Sequence, residues 1–244
     1  MRGVTRRGSL AFGWALALLA MAGFARLGFW QYGRMYEKQA MLDRAAQALH
    51  DRTPHPLDAA DAQPGQGLDV RWVEGDGRVL APTLLLDNQL REGRAGVRLY
   101  CVLQPATGAA RLVDFGWLPV AGDRKLPDAA CAQGPMHVRG LSAPPPSSGF
   151  PIGPALQQVG PSRWLMVRVD FGAIDAALHA RLASHVVRLD PALPIGYVRD
   201  LDILPNTLPP ERHLGYAVQW WALSVAVFVT ALLLTFRKKN KVRA

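Results

Sequence analysis

The chain has 244 residues, half of them hydrophobic, with 28 Lys and Arg against 19 Asp and Glu and a formal charge of +9. The excess sits at the ends: the first eight residues hold three cations, the last eight hold five, neither end holds an acid, and the middle is left nearly neutral. Cations flanking apolar segments are a membrane-topology signal, and no basic stripe in the middle offers a track for phosphates, so no nucleic-acid partner is expected. The two cysteines, Cys101 and Cys131, form no CxxC, which excludes a thioredoxin-type site and covalent haem attachment through CxxCH.

Residues 1–8, with Arg2, Arg6 and Arg7, read as a cytoplasmic tail. Residues 9–30 read as a first transmembrane helix: Leu10 to Ala25 is apolar, Arg26 interrupts and can snorkel, and Leu27, Phe29 and Trp30 continue the pattern. A removable signal peptide is the competing reading, with Gly23-Phe24-Ala25 as a small-x-small site and Thr5-Arg6-Arg7 resembling a twin-arginine signal. The helical pattern runs straight on to about Leu49, which favours retention.

From Leu27 outward, Leu27, Trp30, Gln31, Arg34 and Lys38 share one helix face, either a functional face toward the globular domain or an ordinary set of interfacial anchors. His50 to Leu68 reads as a connecting loop. Short strands are predicted at Val70–Val73, Arg78–Leu80, Thr83–Asp87, Val97–Leu103, Arg111–Trp117, Met136–Leu141 and Trp164–Val169, with Glu74 to Gly77 as a bulge or turn. They suggest an antiparallel sheet or a small barrel. Ala143–Ser148 reads as a stiff exposed loop, Phe171–Ala183 as one helix, His185–Leu189 as a strand, and Asp190 to Pro210 as a proline-rich return. An exported domain permits a Cys101–Cys131 disulfide, and two buried thiols are the alternative.

The second span is predicted at residues 213–236: Leu214 to Phe236 is 23 residues without a charge, enough to cross a hydrocarbon core of about 30 Å. The cations of the 237–244 tail mark its cytoplasmic end, and Tyr216, Trp220 and Trp221 its belt at the other interface. The expected fold class is thus a membrane protein, α+β, with N- and C-terminal transmembrane helices flanking a mostly antiparallel β periplasmic domain, residues 31–212, with one or two helices. Membrane lipid is then a partner, and a bacterial inner membrane with both termini cytoplasmic is the expected setting.

No enzyme motif survives inspection. The glycine-rich stretches lack the strand–loop–helix context of a phosphate cradle, the acids are scattered, and His50, His55, His137, His179 and His185 are isolated, so no catalytic residue is assigned. His213 differs by position. It lies on the first turn of a helix that Pro209 and Pro210 can start, where the dipole disfavours an imidazolium. A neutral imidazole there is either an axial haem ligand or an interfacial His that hydrogen-bonds water. His213, Tyr216, Ala217, Trp220 and Ser224 share a helix face, and the small residue between aromatics leaves room for a flat ring, with Arg212 or Arg34 near its propionates.

Leu27-Gly28-Phe29-Trp30-Gln31 with Arg34 and Lys38, Leu86-Asp87-Asn88-Gln89 with Gly93 and Gly96, Gly116-Trp117-Leu118-Pro119, and His213 to Trp220 together resemble the Surfeit locus protein one family of cytochrome c oxidase assembly factors. The first resembles the family's LGxWQxxRxxxK motif, and the last its HxxYAxQW signature. The second resembles the DNR…G…G segment, and the third the RGWVP segment. Gln89 and Phe115 stand where arginine is common, and Glu211-Arg212 replaces an Asn-containing dipeptide. The resemblance implies a protein that breaks no covalent bond, binds haem a and assists its insertion into subunit I of the oxidase, with haem a synthase as a further partner. It implies His213 as the iron ligand, with Tyr216, Gln219, Trp220, Trp30, Gln31 and Arg34 around the cofactor. A scaffold that stabilises nascent subunit I without binding haem is the alternative.

Overall fold

A computed structural model describes residues 6–58, 70–146, 153–204 and 208–236. The chain divides into a helix pair, residues up to Gln39 and from Leu208, and a β domain, Ala40–Thr207.

The pair is built from the long helix α1 (Arg6–Asp51) and from α3 (Pro210–Phe236). On α1 the more protected positions, Trp14, Ala17, Met21, Phe24, Gly28 and Gln31, recur at alternating steps of three and four. His213, Ala217, Trp220, Ser224, Val227 and Ala231 do the same on α3. That spacing averages 3.5 residues, the seam of a left-handed two-helix packing. The helices run antiparallel: the Trp14 indole donates to Thr235 Oγ1 at 3.0 Å, and the Ser224 hydroxyl donates to the Met21 carbonyl at 3.1 Å. Leu16, Leu19, Val225 and Leu233 stay exposed on the outer faces, as lipid-facing side chains would be.

The β domain contains β1 (Arg71–Arg91), β2 (Arg94–Pro105), β3 (Ala110–Pro119), β4 (Gly134–Ala143), β5 (Leu156–Gly160), β6 (Arg163–Met166), α2 (Phe171–Leu178) and β7 (Leu182–Leu189). The pairings run β1–β2–β3–β7–β4 and return to β1, closing a five-stranded barrel, while β6 and β5 extend from β1. Closure is possible because β1 is long: residues 71–79 pair with β4, 77–91 with β2, and 83–86 with β6. Two pairings, β1–β6 and β3–β7, are parallel and the others antiparallel.

Strand alternation fills both faces of the barrel. Val97, Leu99, Cys101 and Leu103 of β2 belong to one cluster with Val113, Phe115, Val138, Val187 and Leu189. Tyr100 and Val102, of opposite parity, join Leu112, Val186 and Ile174 of α2 in a second. A third holds Trp72 and Leu141 against Met41 and Ala45, the α1 residues of this unit. A disulfide joins Cys101 to Cys131, resolving the thiol alternative.

Several expectations need correction. The first three predicted strands are one strand, and Glu74 to Gly77 is neither bulge nor turn. Gly75 and Gly77 have the parity of Val73 and Val79, in the cluster that also takes Leu57 and Leu103. A Cβ on Gly77 would meet Leu103 Cγ at 2.8 Å and the Gln104 carbonyl at 2.9 Å, so these glycines serve close approach. The irregularities fall instead between Val79 and Thr83 and between Leu86 and Gln89. The helix predicted to Ala183 stops at Leu178, because His179 takes a left-handed conformation with φ 50°. Part of the supposed connecting loop is ordered structure: His55 bridges Val73 and Leu57 is buried. The short, polar strand β5 was not anticipated at all. Residues 59–68, Ser147, Ser148, residues 1–5 of the first predicted tail and all of the second, 237–244, lie outside the described residues.

Candidate functional site at the start of the second helix

Helix α3 begins at Pro210, whose missing N–H is no loss at a helix start. The amides of Arg212 and His213 both donate to the Pro209 carbonyl, at 3.1 and 3.4 Å, so the imidazole projects from the first turn. It is 7% exposed. Its Nδ1 lies 2.7 Å from Oε1 of Gln31 on α1, whereas Nε2 is buried and has no hydrogen-bond partner among the described residues. Fully buried Ala217 follows one turn along. Arg34 and Lys38, one and two turns beyond Gln31, set positive charge beside the imidazole. Arg34 also pairs with Glu37 at 2.6 Å.

Of the residues expected around a cofactor, the structure brings His213 and Gln31 into contact and sets the Arg34 charge nearby. Trp220 lies two turns along α3 and stacks on Phe24, with centroids 5.6 Å apart and an interplanar angle of 25°. Trp30, Tyr216 and Gln219 are on exposed positions of the pair. Arg212 is exposed as well. Sequence reading overlooked the seat made by Gly28. A Cβ there would collide with the Trp221 indole, whose Nε1 is buried without a hydrogen-bond partner among the described residues and whose ring also meets Phe29 and Tyr32. The signal was present, since Gly28 falls on the three-four repeat of α1 where a small residue admits a large one from the facing helix.

The central motifs of the β domain form a second unit. Asn88 adopts φ 56° at the β1 irregularity, and Glu92 and Gly93, at φ 51° and 74°, make the β1–β2 turn. A Cβ on Gly96 would collide with the Trp117 indole, which donates to the Gln89 carbonyl at 2.8 Å. These motif residues build the hairpin and lock β3 onto it. Nearby, Asp114 accepts from Arg98 at 2.9 Å and lies 3.9 Å from Arg188, and Asp200 pairs with both Arg98 and Arg91. Burial opposes the Arg98 charge, but the Asp114 and Asp200 carboxylates outweigh it and hold the guanidinium more firmly protonated than usual. Burial pushes the Tyr100 phenol up, with the Asp114 charge adding to the effect.

Two hollows lie away from His213. One of about 390 Å³ lies in the β domain beside Arg44, His55 and Trp72. The other, about 420 Å³, lies in the pair between Gly13, Ala17, Ala226 and Ala231.

Two long apolar helices flanking a small mixed barrel define a two-span membrane protein of the α+β class. Within that class, the sequence pattern of the SURF1 family matches residues 18–225, from inside the first apolar helix to inside the second, and the chain belongs to that family. The SURF1 family serves cytochrome oxidase assembly and is a family of assembly factors rather than of catalysts. No match among curated proteins was found.

Proposed function

We propose that this chain is a haem a chaperone: it holds haem a near the outer membrane interface and assists its insertion into subunit I of a cytochrome c oxidase. The observation that carries the reading is the buried Nε2 of His213, a nitrogen with no hydrogen-bond partner among the described residues, on a ring whose other nitrogen is fastened to Gln31. Metal-ligating histidines are held this way, with one nitrogen free for the metal and the other hydrogen-bonded. The donor set therefore fits the group. His213 would hold the iron, and Arg34 and Lys38 would supply charge complementary to the propionates. When bound, the haem is the redox centre that the oxidase receives. The protein's part is to bind, orient and shield it, and to release it.

The setting we infer is a bacterial inner membrane with both termini in the cytoplasm and the β domain in the periplasm. Cation clusters at both termini support that orientation, and the Cys101–Cys131 disulfide supports an oxidising compartment. Haem a synthase is the natural donor of the cofactor. A second reading is a scaffold that stabilises subunit I and never touches haem. The enclosure of Nε2 favours it, because a ligand reaches that atom only after a side chain moves.

The test is the visible absorption spectrum of the detergent-purified protein, co-expressed with haem a synthesis, for wild type and His213→Ala. A haem a spectrum in wild type that vanishes in the variant supports the chaperone. Haem retained unchanged by the variant sinks His213 as ligand, and a well-folded wild type without haem supports the scaffold.

A further inference from the structure

We propose that Gln31 is a positioning residue. Its side-chain carbonyl holds the imidazole proton of His213 on Nδ1 and thereby presents Nε2 as a bare lone-pair nitrogen. The consequence for ligation rests on the chaperone reading; the tautomer itself is a property of the chain without cofactor.

A neutral imidazole has one N–H and one lone pair, and an amide oxygen can only accept. With Gln31 Oε1 2.7 Å from Nδ1, the proton belongs on Nδ1. Turning the amide round would present an NH₂ to Nδ1 and move the proton to Nε2. A buried N–H would then lack an acceptor, since Nε2 has no partner. Orphaned buried N–H groups are much rarer than under-satisfied acceptors, so the carbonyl-facing arrangement wins. The doubly protonated ring fares worst: it needs two acceptors where Gln31 supplies one. Gln31 is 182 residues away in sequence, so the same bond also sets the register of α1 against α3.

The arrangement explains why a neutral amide serves here and a carboxylate is not required. An amide fixes the ring without adding a charge. It leaves the imidazole a modest donor, suited to a ligand that must be passed on.

The experiment is ¹⁵N NMR of the full chain in detergent micelles, with labelled histidine and the His213 signal assigned by its loss in His213→Ala. Wild type should show Nδ1 protonated and Nε2 unprotonated. Gln31→Leu should shift the signal to the Nε2–H tautomer, and Gln31→Glu, which still accepts, should retain Nδ1–H. Ferric haem titrated into the same samples should bind about 10–100-fold more weakly to Gln31→Leu, the usual effect of losing a ligand's hydrogen-bond partner, with most of the affinity kept in Gln31→Glu. An Nε2–H tautomer in wild type overturns the proposal even if Gln31→Leu fails to fold, and so does a folded Gln31→Leu with unchanged tautomer. An Nδ1–H tautomer in a wild type that takes up no haem upholds the positioning role and overturns the chaperone reading instead. Equal haem affinity in wild type and Gln31→Leu overturns the role of Gln31 in ligation.

Discussion

The β domain and the helix pair each bury ionisable side chains, and they treat them differently. In the β domain the Asp114 carboxylate accepts from Arg98 and lies at ion-pair distance, 3.9 Å, from Arg188, whose buried guanidinium nitrogens have no hydrogen-bond partner among the described residues, and Asp200 joins Arg98 to Arg91. In the pair the buried imidazole of His213 receives one neutral amide, has cations for neighbours, and keeps one nitrogen without a partner. Compensation by carboxylates is what a group with a purely structural task requires. An imidazole held on one side and left unpartnered on the other suits the ligand site proposed for His213.

The largest expected effect comes from removing the compensation. Asp114→Ala leaves two buried guanidinium groups without their shared carboxylate and should cost roughly 3–5 kcal/mol in the urea unfolding of the β domain. A near-neutral result would mean that water or a rearranged Asp200 replaces the carboxylate, and the contrast with the helix pair would lose its force.

A pair of glycine replacements separates rigid from yielding contacts. A methyl group on Gly96 would run into both the Trp117 indole and the Leu118 carbonyl, and backbone cannot swing aside. Gly96→Ala should therefore cost about 1–3 kcal/mol of β-domain stability by overpacking. At Gly28 the nearest atoms in the way belong to the Trp221 indole, a side chain and not backbone, and alanine also favours the helix by up to about 1 kcal/mol. Gly28→Ala should thus change near-ultraviolet circular dichroism and tryptophan emission with little loss of stability. Equal losses at the two sites would show that the helix seam is packed as rigidly as the barrel.

The smallest effect concerns a histidine unlike His213. His137 lies on the β-domain surface with Nε2 3.0 Å from Glu74 and Nδ1 2.9 Å from Asp76. Those bonds, Glu74 first, raise its pKa above the ordinary value. Because the folded value lies above the unfolded one, the stabilisation is complete below about pH 6.5 and is lost as pH rises through the raised value. The exposed ring makes the contribution slight. An NMR titration of His137 should give a midpoint above 6.5 that falls in Glu74→Gln; an unshifted midpoint in wild type would remove the cross-strand clamp.

Much of this was legible in the residues. Two uncharged stretches with cationic flanks give the helices, because hydrocarbon tolerates little else. Pro209 and Pro210 give the start of α3, and short strand-like runs bounded by turn residues give most of the strands. Gly75 and Gly77 misled because the reason for them lies across the barrel, in Leu57 and Leu103, and local sequence cannot distinguish a glycine that turns the chain from one that makes room. His179 ended α2 early through a left-handed conformation that nothing in its flanking residues demands. At the site, the motifs named His213 and Gln31 but left the task of Gln31 open.

The sequence by itself determined the two apolar helices, a mostly antiparallel β domain between them and the residues from which a site could be made. These follow from hydropathy and periodicity, which are local. Only the tertiary structure decided that β1 is one strand long enough to close a barrel and that Cys101 meets Cys131. It also decided that Gln31 takes Nδ1 of His213 while Trp30, Tyr216 and Gln219 face outward. Each of these depends on which surfaces pack together across long stretches of chain, and packing selects one partner among several that composition alone would allow.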